Sequence, residues 1–383
     1  MQTPRVFRDV ISQPEAVTEL LRELNKETDV HHAWLFTGPP GSGRSEIALA
    51  FAAALVCEAG GCGICNACQM VSVGNHPDVQ VLNTERVQIS IDEVAEFISR
   101  SLQMPAIANY RIMIVEDADR MSERTSNLLL KSLEEPPRGT IWMLCAPSEA
   151  DLLPTIRSRV RRIMLKVPSV EEVANLLMEK YGVDEKLALQ SAANAQSHVG
   201  MARRLATNST ARDRRRQALL SVLSIMDIPS ALAASAALLR LAESDGAQLT
   251  AELDEQEKSE LLARLGVSAD GKMTPATRSQ IKKLEEAQKR RATRSKRDGL
   301  DRVFVDLMGL YRDVLTIQLG SGQRLINPDL EVEIRALAKD ITQAQAIHAI
   351  EKIQQVRYRM DRNVRENYLL DSLAVTLRRK VRR

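Results

Sequence analysis

Aromatic residues are scarce: five Phe, five Tyr and two Trp make up only 3% of the 383 residues. Proteins that grip single-stranded nucleic acid by stacking need rings, so this scarcity excludes a stacking platform. Long apolar runs are missing too. No segment approaches the ~20 residues of a membrane span, and Met1 to Val10 lacks the apolar stretch of a signal peptide, so a cytoplasmic protein without membrane association is expected. Nor does one charge dominate: 53 Lys and Arg against 50 Asp and Glu leave +3, too balanced for the sum to indicate nucleic-acid binding. What is there, 44% apolar and 27% charged residues, excludes a disordered or fibrous class, and the length calls for two or three domains. The Ala-, Leu- and Arg-rich composition points to helices packed on aliphatic faces.

From Ala33 to Arg162 short apolar runs (AWLFTG, DVQVL, RIMIVED, TIWMLCAP) alternate with helical patterns at Glu46–Val56, Ile91–Leu102 and Glu123–Glu134. That alternation predicts an α/β domain with a parallel sheet covered on both faces. Pro168 breaks the pattern, and no strand signal follows it. Val170–Tyr181, Glu185–Ala195 and Met201–Ala206 predict three short helices, with turns at Gly182-Val183 and His198-Val199-Gly200. Asn208 onward reads as helical to the end. Domains are therefore expected at 1–167, 168–207 and 208–383. Within the last, Leu241–Arg297 is charged and poor in large apolar residues, with a turn at Asp270-Gly271-Lys272. It reads as exposed helices with a flexible break, as open to disorder as to order.

Gly38-Pro39-Pro40-Gly41-Ser42-Gly43-Arg44-Ser45 stands between a strand pattern and a helix. This is the setting of a P-loop, where backbone N–H groups at a helix N-terminus face phosphate oxygens. Arg44 replaces the usual lysine. A planar guanidinium pairs with phosphate but does not reproduce a lysine's point contact, so ATP or ADP binding is expected and efficient hydrolysis is not. The strand Ile112–Val115 ends in Glu116-Asp117, where such ATPases keep carboxylates for Mg²⁺ and water. The usual Asp-Glu order is reversed, which displaces both carboxylates by a methylene and argues the same way.

Cys57, Cys62, Cys65 and Cys68 crowd into twelve positions, with Gly60, Gly61 and Gly63 among them. In a reducing compartment that spacing suits a closed tetrahedral Zn²⁺ site. Free thiols or a redox pair are the alternative. Cys145 falls in a strand pattern and reads as a small core residue, and the five histidines form no ligand cluster. Basic runs occur at Arg212–Arg216, Lys282–Arg302 and Arg378–Arg383; the last two read as solvated faces or tails, and sequence-independent contact with nucleic-acid phosphates is the alternative.

Asn127-Leu128-Leu129-Leu130-Lys131-Ser132-Leu133-Glu134-Glu135-Pro136-Pro137, followed by TIWMLCAP and Leu153-Pro154-Thr155-Ile156-Arg157-Ser158-Arg159, resembles the AAA+ clamp-loader subunits of bacterial DNA polymerase III. Phe7–Gln13, with Val10 on the adenine side, and His32–Gly38 are similar to the opening of that family, and the likeness spans roughly residues 5–205. It implies an AAA+ domain with a zinc module, a helical lid and a helical collar. It further implies a hetero-pentamer with gamma/tau and delta subunits that loads a sliding clamp on primer-template DNA.

Two kinds of subunit are at issue within the family. A motor of the gamma/tau type should carry Lys in the P-loop and Asp-Glu after the third strand, and tau carries a long Pro-rich tether. This chain, with Arg44 and Glu116-Asp117, is closer to the stator type. The resemblance then makes Arg159 an arginine finger acting in trans on a neighbour's γ-phosphate, with Asp117 a degenerate Walker B acid. The family's Ser-Arg-Cys is Ser-Arg-Val here, with Val160. Its sensor 1 residue is missing near Ala146 or displaced to Ser148. Arg203, in Gly200-Met201-Ala202-Arg203, resembles sensor 2, facing a nucleotide or forming a surface ion pair of the lid.

Overall fold

The computed structural model describes residues 3–25, 30–264, 275–360 and 364–379. The chain divides into two compact units, Met1–Lys180 with Ser197–Met201, and Tyr181–Gln196 with Ala202–Arg383.

The first unit carries five strands, β1 (Ala33–Thr37), β2 (Val79–Leu82), β3 (Arg111–Val115), β4 (Thr140–Ala146) and β5 (Arg161–Met164). All pair in parallel, in the order β2-β3-β4-β1-β5. β1, β3 and β4 are buried on both faces, as their unbroken apolar runs require. Alternate side chains feed two cores: Trp34 and Phe36 point to one, Ala33 and Leu35 to the other. Both tryptophans are spent here, Trp34 edge-on to Phe51 and Trp142 edge-on to Phe97.

The helices α1 (Pro14–Leu24), α2 (Arg44–Val56), α3 (Asn66–Ser72), α4 (Ile91–Ser101), α5 (Glu123–Glu134) and α6 (Pro154–Arg157) complete the α/β arrangement. β5 escaped the sequence reading, because only Ile163 of its four side chains is buried and three arginines precede or open it. Tertiary contacts hold it: Arg161 pairs with Glu19 and Glu23 of α1 and lies 5.1 Å from the Trp34 ring centre.

Asp78, fully buried ahead of β2, accepts from the N–H groups of Ala106, Ile107 and Ala108 at 2.6, 2.8 and 2.9 Å and faces Arg111 at 3.6 Å. Burial pushes this carboxyl up, but the three amides outweigh it and hold it below the usual carboxylate range. A depressed acid stabilises the fold at neutral pH and loses that contribution as pH falls through its folded-state pKa. Asp78→Ala is expected to cost about 3–5 kcal/mol, because Arg111 and three amides lose their partner. Both tryptophans lie in the first unit, so urea denaturation followed by Trp fluorescence reads this unit alone; an unchanged midpoint would refute the role.

α7 (Val170–Tyr181), α8 (Glu185–Asn194) and α9 (Val199–Thr207) cover the stretch expected to hold three short helices. Val199 and Gly200, read as turn residues, already belong to α9; the reversal falls on Gln196 and Ser197, both at positive φ.

The second unit continues with α10 (Ser209–Leu223), α11 (Ile228–Arg264), α12 (Pro275–Leu319), α13 (Glu331–Asp340), α14 (Gln343–Met360) and α15 (Glu366–Thr376) around an aliphatic core that includes Phe304 and Tyr311. Over the described part of 241–297 the chain is helical. Asp270-Gly271-Lys272 and the last four residues of the terminal basic run lie outside the described residues. No described helix is long and apolar enough to cross a membrane.

Candidate functional site: a P-loop, an arginine and a cysteine module

β1 delivers the chain into Gly38–Gly43 and α2 begins at Arg44. Gly41 and Gly43 adopt φ +88° and +84°, which other L residues rarely adopt, and this turn aims the following amides outward at the helix N-terminus. Gly41 has a second reason to be glycine: an added Cβ would lie 2.5 Å from the Cα of His198. Gln13, fully buried, braces the loop by donating to the carbonyls of Ser42 (3.2 Å) and Lys166 (2.7 Å) while accepting from Lys166 N–H (3.0 Å). Sequence reading placed Gln13 in the opening box and gave His198 no special role; only the fold brings both to the P-loop.

Arg44 turns back and donates to the carbonyl of Gly38, so its guanidinium is engaged with the loop itself. Beside the loop, Val10, Ile11, Ser42, Gly43, Pro168 and Val199 line a cavity of about 30 Å³. That volume suits a water and not a purine. The glycine turn at the start of α2 has the geometry of a phosphate-binding loop.

Strand order sets the end of β3 across β4 from the P-loop. Glu116 N–H donates to Leu82 O at 3.0 Å, and Asp117, at φ +49°, faces Arg120 at 3.4 Å. The sequence reading missed Asp119. Burial, then the charge of Asp117, push its carboxyl above the usual range, and its buried Oδ1 has no hydrogen-bond partner. Among the described residues these acids do not form a ready metal-ligand group. Ser148 caps its own turn by accepting from Ala150 N–H.

Arg159 follows the short α6. Its guanidinium donates to Thr155 O (2.7 Å) and Ser158 Oγ (3.0 Å) and pairs with Glu134 at the end of α5. About a third of the side chain is exposed, so the group is held in place yet reachable. Arg203 is exposed on α9, in the second unit.

The four cysteine Sγ atoms lie within 4.8 Å of one another. Cys57 stands 3.7 Å from both Cys62 and Cys65. Four thiolates around Zn²⁺ at ~2.3 Å are separated by roughly 3.8 Å, so this spacing is that of a zinc tetrahedron. The Cys62, Cys65 and Cys68 N–H groups each donate to a preceding Sγ at 3.4–3.5 Å. Burial pushes the Cys57 thiol up, but N–H groups led by that of Cys62 outweigh it and bring it down to about 6. Burial pushes Cys68 up. The donor set fits a structural zinc held by Cys57, Cys62, Cys65 and Cys68, with no position left for chemistry.

Residues 12–169 match the family described as DNA polymerase III, delta subunit. A delta' subunit of DNA polymerase III from Pseudomonas aeruginosa is 36% identical over 170 residues, which cover 41% of this chain and 52% of that protein. The tau subunit of Escherichia coli is 30% identical over 200 residues, 50% of this chain and 31% of that protein. A delta' subunit from Bacillus subtilis is 24% identical over 368 residues, 95% of this chain and 96% of that protein. The chain thus spans about half or less of the length of the first two relatives and nearly all of the third.

Proposed function

We infer that this chain, a relative of the delta' and tau subunits of bacterial DNA polymerase III, serves as a delta' (stator) subunit of a clamp loader. The likeness to the Bacillus subtilis delta' subunit carries this reading, because it runs through the helical second unit while the tau likeness stops at half the chain. Its partners are gamma/tau and delta subunits, a sliding clamp and primed DNA. The first unit acts as an AAA+ domain, the helices of 168–207 as its lid, and the helices beyond as a collar.

In this role the chain contributes Arg159 to a neighbouring active site. The guanidinium leaves Glu134 for a γ-phosphate, one anion replacing another, and offsets charge that develops on the transferred group. The cysteine module is structural: zinc supplies cross-linking of the segment between α2 and α3. Gly38–Ser45, Val10 and Glu116 would hold a nucleotide with Mg²⁺. Turnover here is weak because Arg44 is folded onto Gly38 and the acids are reversed.

The alternative, a competent gamma/tau-type ATPase, is separated by titrating the isolated chain with a fluorescent ATP analogue. Arg44→Lys should tighten nucleotide binding about tenfold, the gain of one charge-assisted contact to phosphate, without producing turnover. Rapid hydrolysis by the unaltered chain, abolished by Asp117→Asn, would instead establish the motor. Measuring the mass of the assembly reconstituted with gamma/tau and delta tests the reading as a whole: a chain that forms homo-oligomeric rings and enters no hetero-pentamer is not a stator.

A further inference from the structure

The apolar core of the second unit ends at Ala242 on α11 and resumes at Leu300 on α12. Between them, 243–264 and 275–299 run antiparallel as an arm about 33 Å long at 1.5 Å per residue. Charge is divided between its two helices. Residues 243–260 contain seven Asp/Glu and one Lys, and residues 278–297 contain nine Lys/Arg and two Glu. Part of this charge closes the arm: Arg291 pairs with Asp254 (2.8 Å) and Glu257 (2.7 Å), and Lys296 with Glu243 (2.9 Å). Gln288 and Ser295 donate to carbonyls of Asp254 and Gly246. These contacts fix which face of α12 meets α11.

Dibasic pairs recur every seven residues along α12, at Lys282-Lys283, Lys289-Arg290 and Lys296-Arg297, and the first two point away from α11. The third pair is tied to Glu366, Lys296 at 2.8 Å and Arg297 at 3.9 Å. The first two are exposed, and among the described residues they make no ion pair. The Arg212–Arg216 run differs, since Arg214, Arg215 and Arg216 are neutralised by Asp245, Asp306 and Asp329. Glu286 lies among these four cations and exposed Glu285 flanks Lys282 and Lys289, so the face, completed by Ser279 and Thr293, carries +2 with no apolar side chain. A protein-binding surface has an apolar centre, and this one has none. Over the ~10.5 Å that separates the two pairs, duplex DNA presents about six phosphates, at one charge per ~1.7 Å.

We propose that this face of α12 binds the phosphate backbone of duplex nucleic acid without sequence preference, through Lys282, Lys283, Lys289 and Arg290. The surface is distinct from the P-loop and from Arg159, and it does not depend on the stator reading. A chain that failed to enter a hetero-pentamer but kept the binding described next would leave it standing.

The test measures fluorescence anisotropy of a short labelled DNA duplex with the full chain across a salt series. Replacing all four residues by alanine should flatten the slope of log K against log salt by about 3–4, as expected for four lost phosphate contacts. Affinity at low salt should fall at least tenfold. Glu286→Lys should tighten binding, and Lys339→Ala with Lys352→Ala should change neither quantity. The four side chains anchor nothing in the fold, so circular dichroism and melting should be unaltered. An unchanged slope in the quadruple variant, an equal loss in the Lys339/Lys352 control, or tighter binding of polyglutamate than of duplex by the same face would each overturn the proposal.

Discussion

Replacing Arg159 by alanine is expected to lower the DNA- and clamp-stimulated ATPase of the assembled loader by roughly 10³–10⁵, the value of a trans arginine in related phosphoryl transfers. The reason is geometric as much as electrostatic. Pro154 starts α6, the following turn places Arg159 beside Thr155 O and Ser158 Oγ, and Glu134 holds the guanidinium from the far side. A planar group with fixed donors meets the equatorial oxygens of a phosphoryl group without reorganising, whereas lysine offers one mobile point charge. Arg159→Lys should therefore recover little of the lost rate. The measurement is steady-state hydrolysis after reconstitution with gamma/tau and delta. Wild-type turnover by the Arg159→Ala complex would remove the finger assignment while leaving membership of the complex intact.

The second large effect concerns the cysteines. The purified chain should carry one zinc, and Cys65→Ser should lose it, as read by elemental analysis. Structural zinc sites contribute about 10–16 kcal/mol in isolated peptides. Here the module is embedded in a sheet-bearing unit that has its own core, so a fraction of that is expected, seen as an earlier Trp-fluorescence transition in the variant and in chelated wild type. Zinc binds thiolates, so retention must fall with acidity. The N–H groups around Cys57 bring its thiol down to about 6, while burial pushes the Cys68 thiol up. Loss of zinc should steepen below about pH 6, where Cys57 also protonates. Full zinc retention by Cys65→Ser would exclude the four-cysteine assignment.

Much of the first unit was legible because its signals are local. Glu123–Glu134 and Val170–Tyr181 are found where the helical period placed them, and β1, β3 and β4 where unbroken apolar runs did. The cysteine cluster was legible for the same reason: four ligands within twelve residues need little help from the fold to meet. β5 was not, because an edge strand buries one side chain in four and is secured by α1, more than a hundred residues away in sequence. The arm formed by α11 and α12 was also obscure. Over 243–264 and 275–299 neither helix has the apolar stripe that marks its packed part, and the contacts between them are mainly ion pairs, which show in the sequence only as opposite charges.

By itself the sequence determined the glycine-rich loop after β1, the reversed acids after β3, the four-cysteine cluster and the alternation that makes a parallel sheet. All of these rest on backbone chemistry and side-chain period over a few consecutive residues. Tertiary structure alone decided that Glu134 holds Arg159, that Gln13 and His198 close on the P-loop, that Asp78 binds the turn before β3, and that four cations of α12 face outward without an ion-pair partner among the described residues. In each case the partner, or its absence, is set by residues distant in the chain, and charge pairs carry no periodic signature from which it could be read.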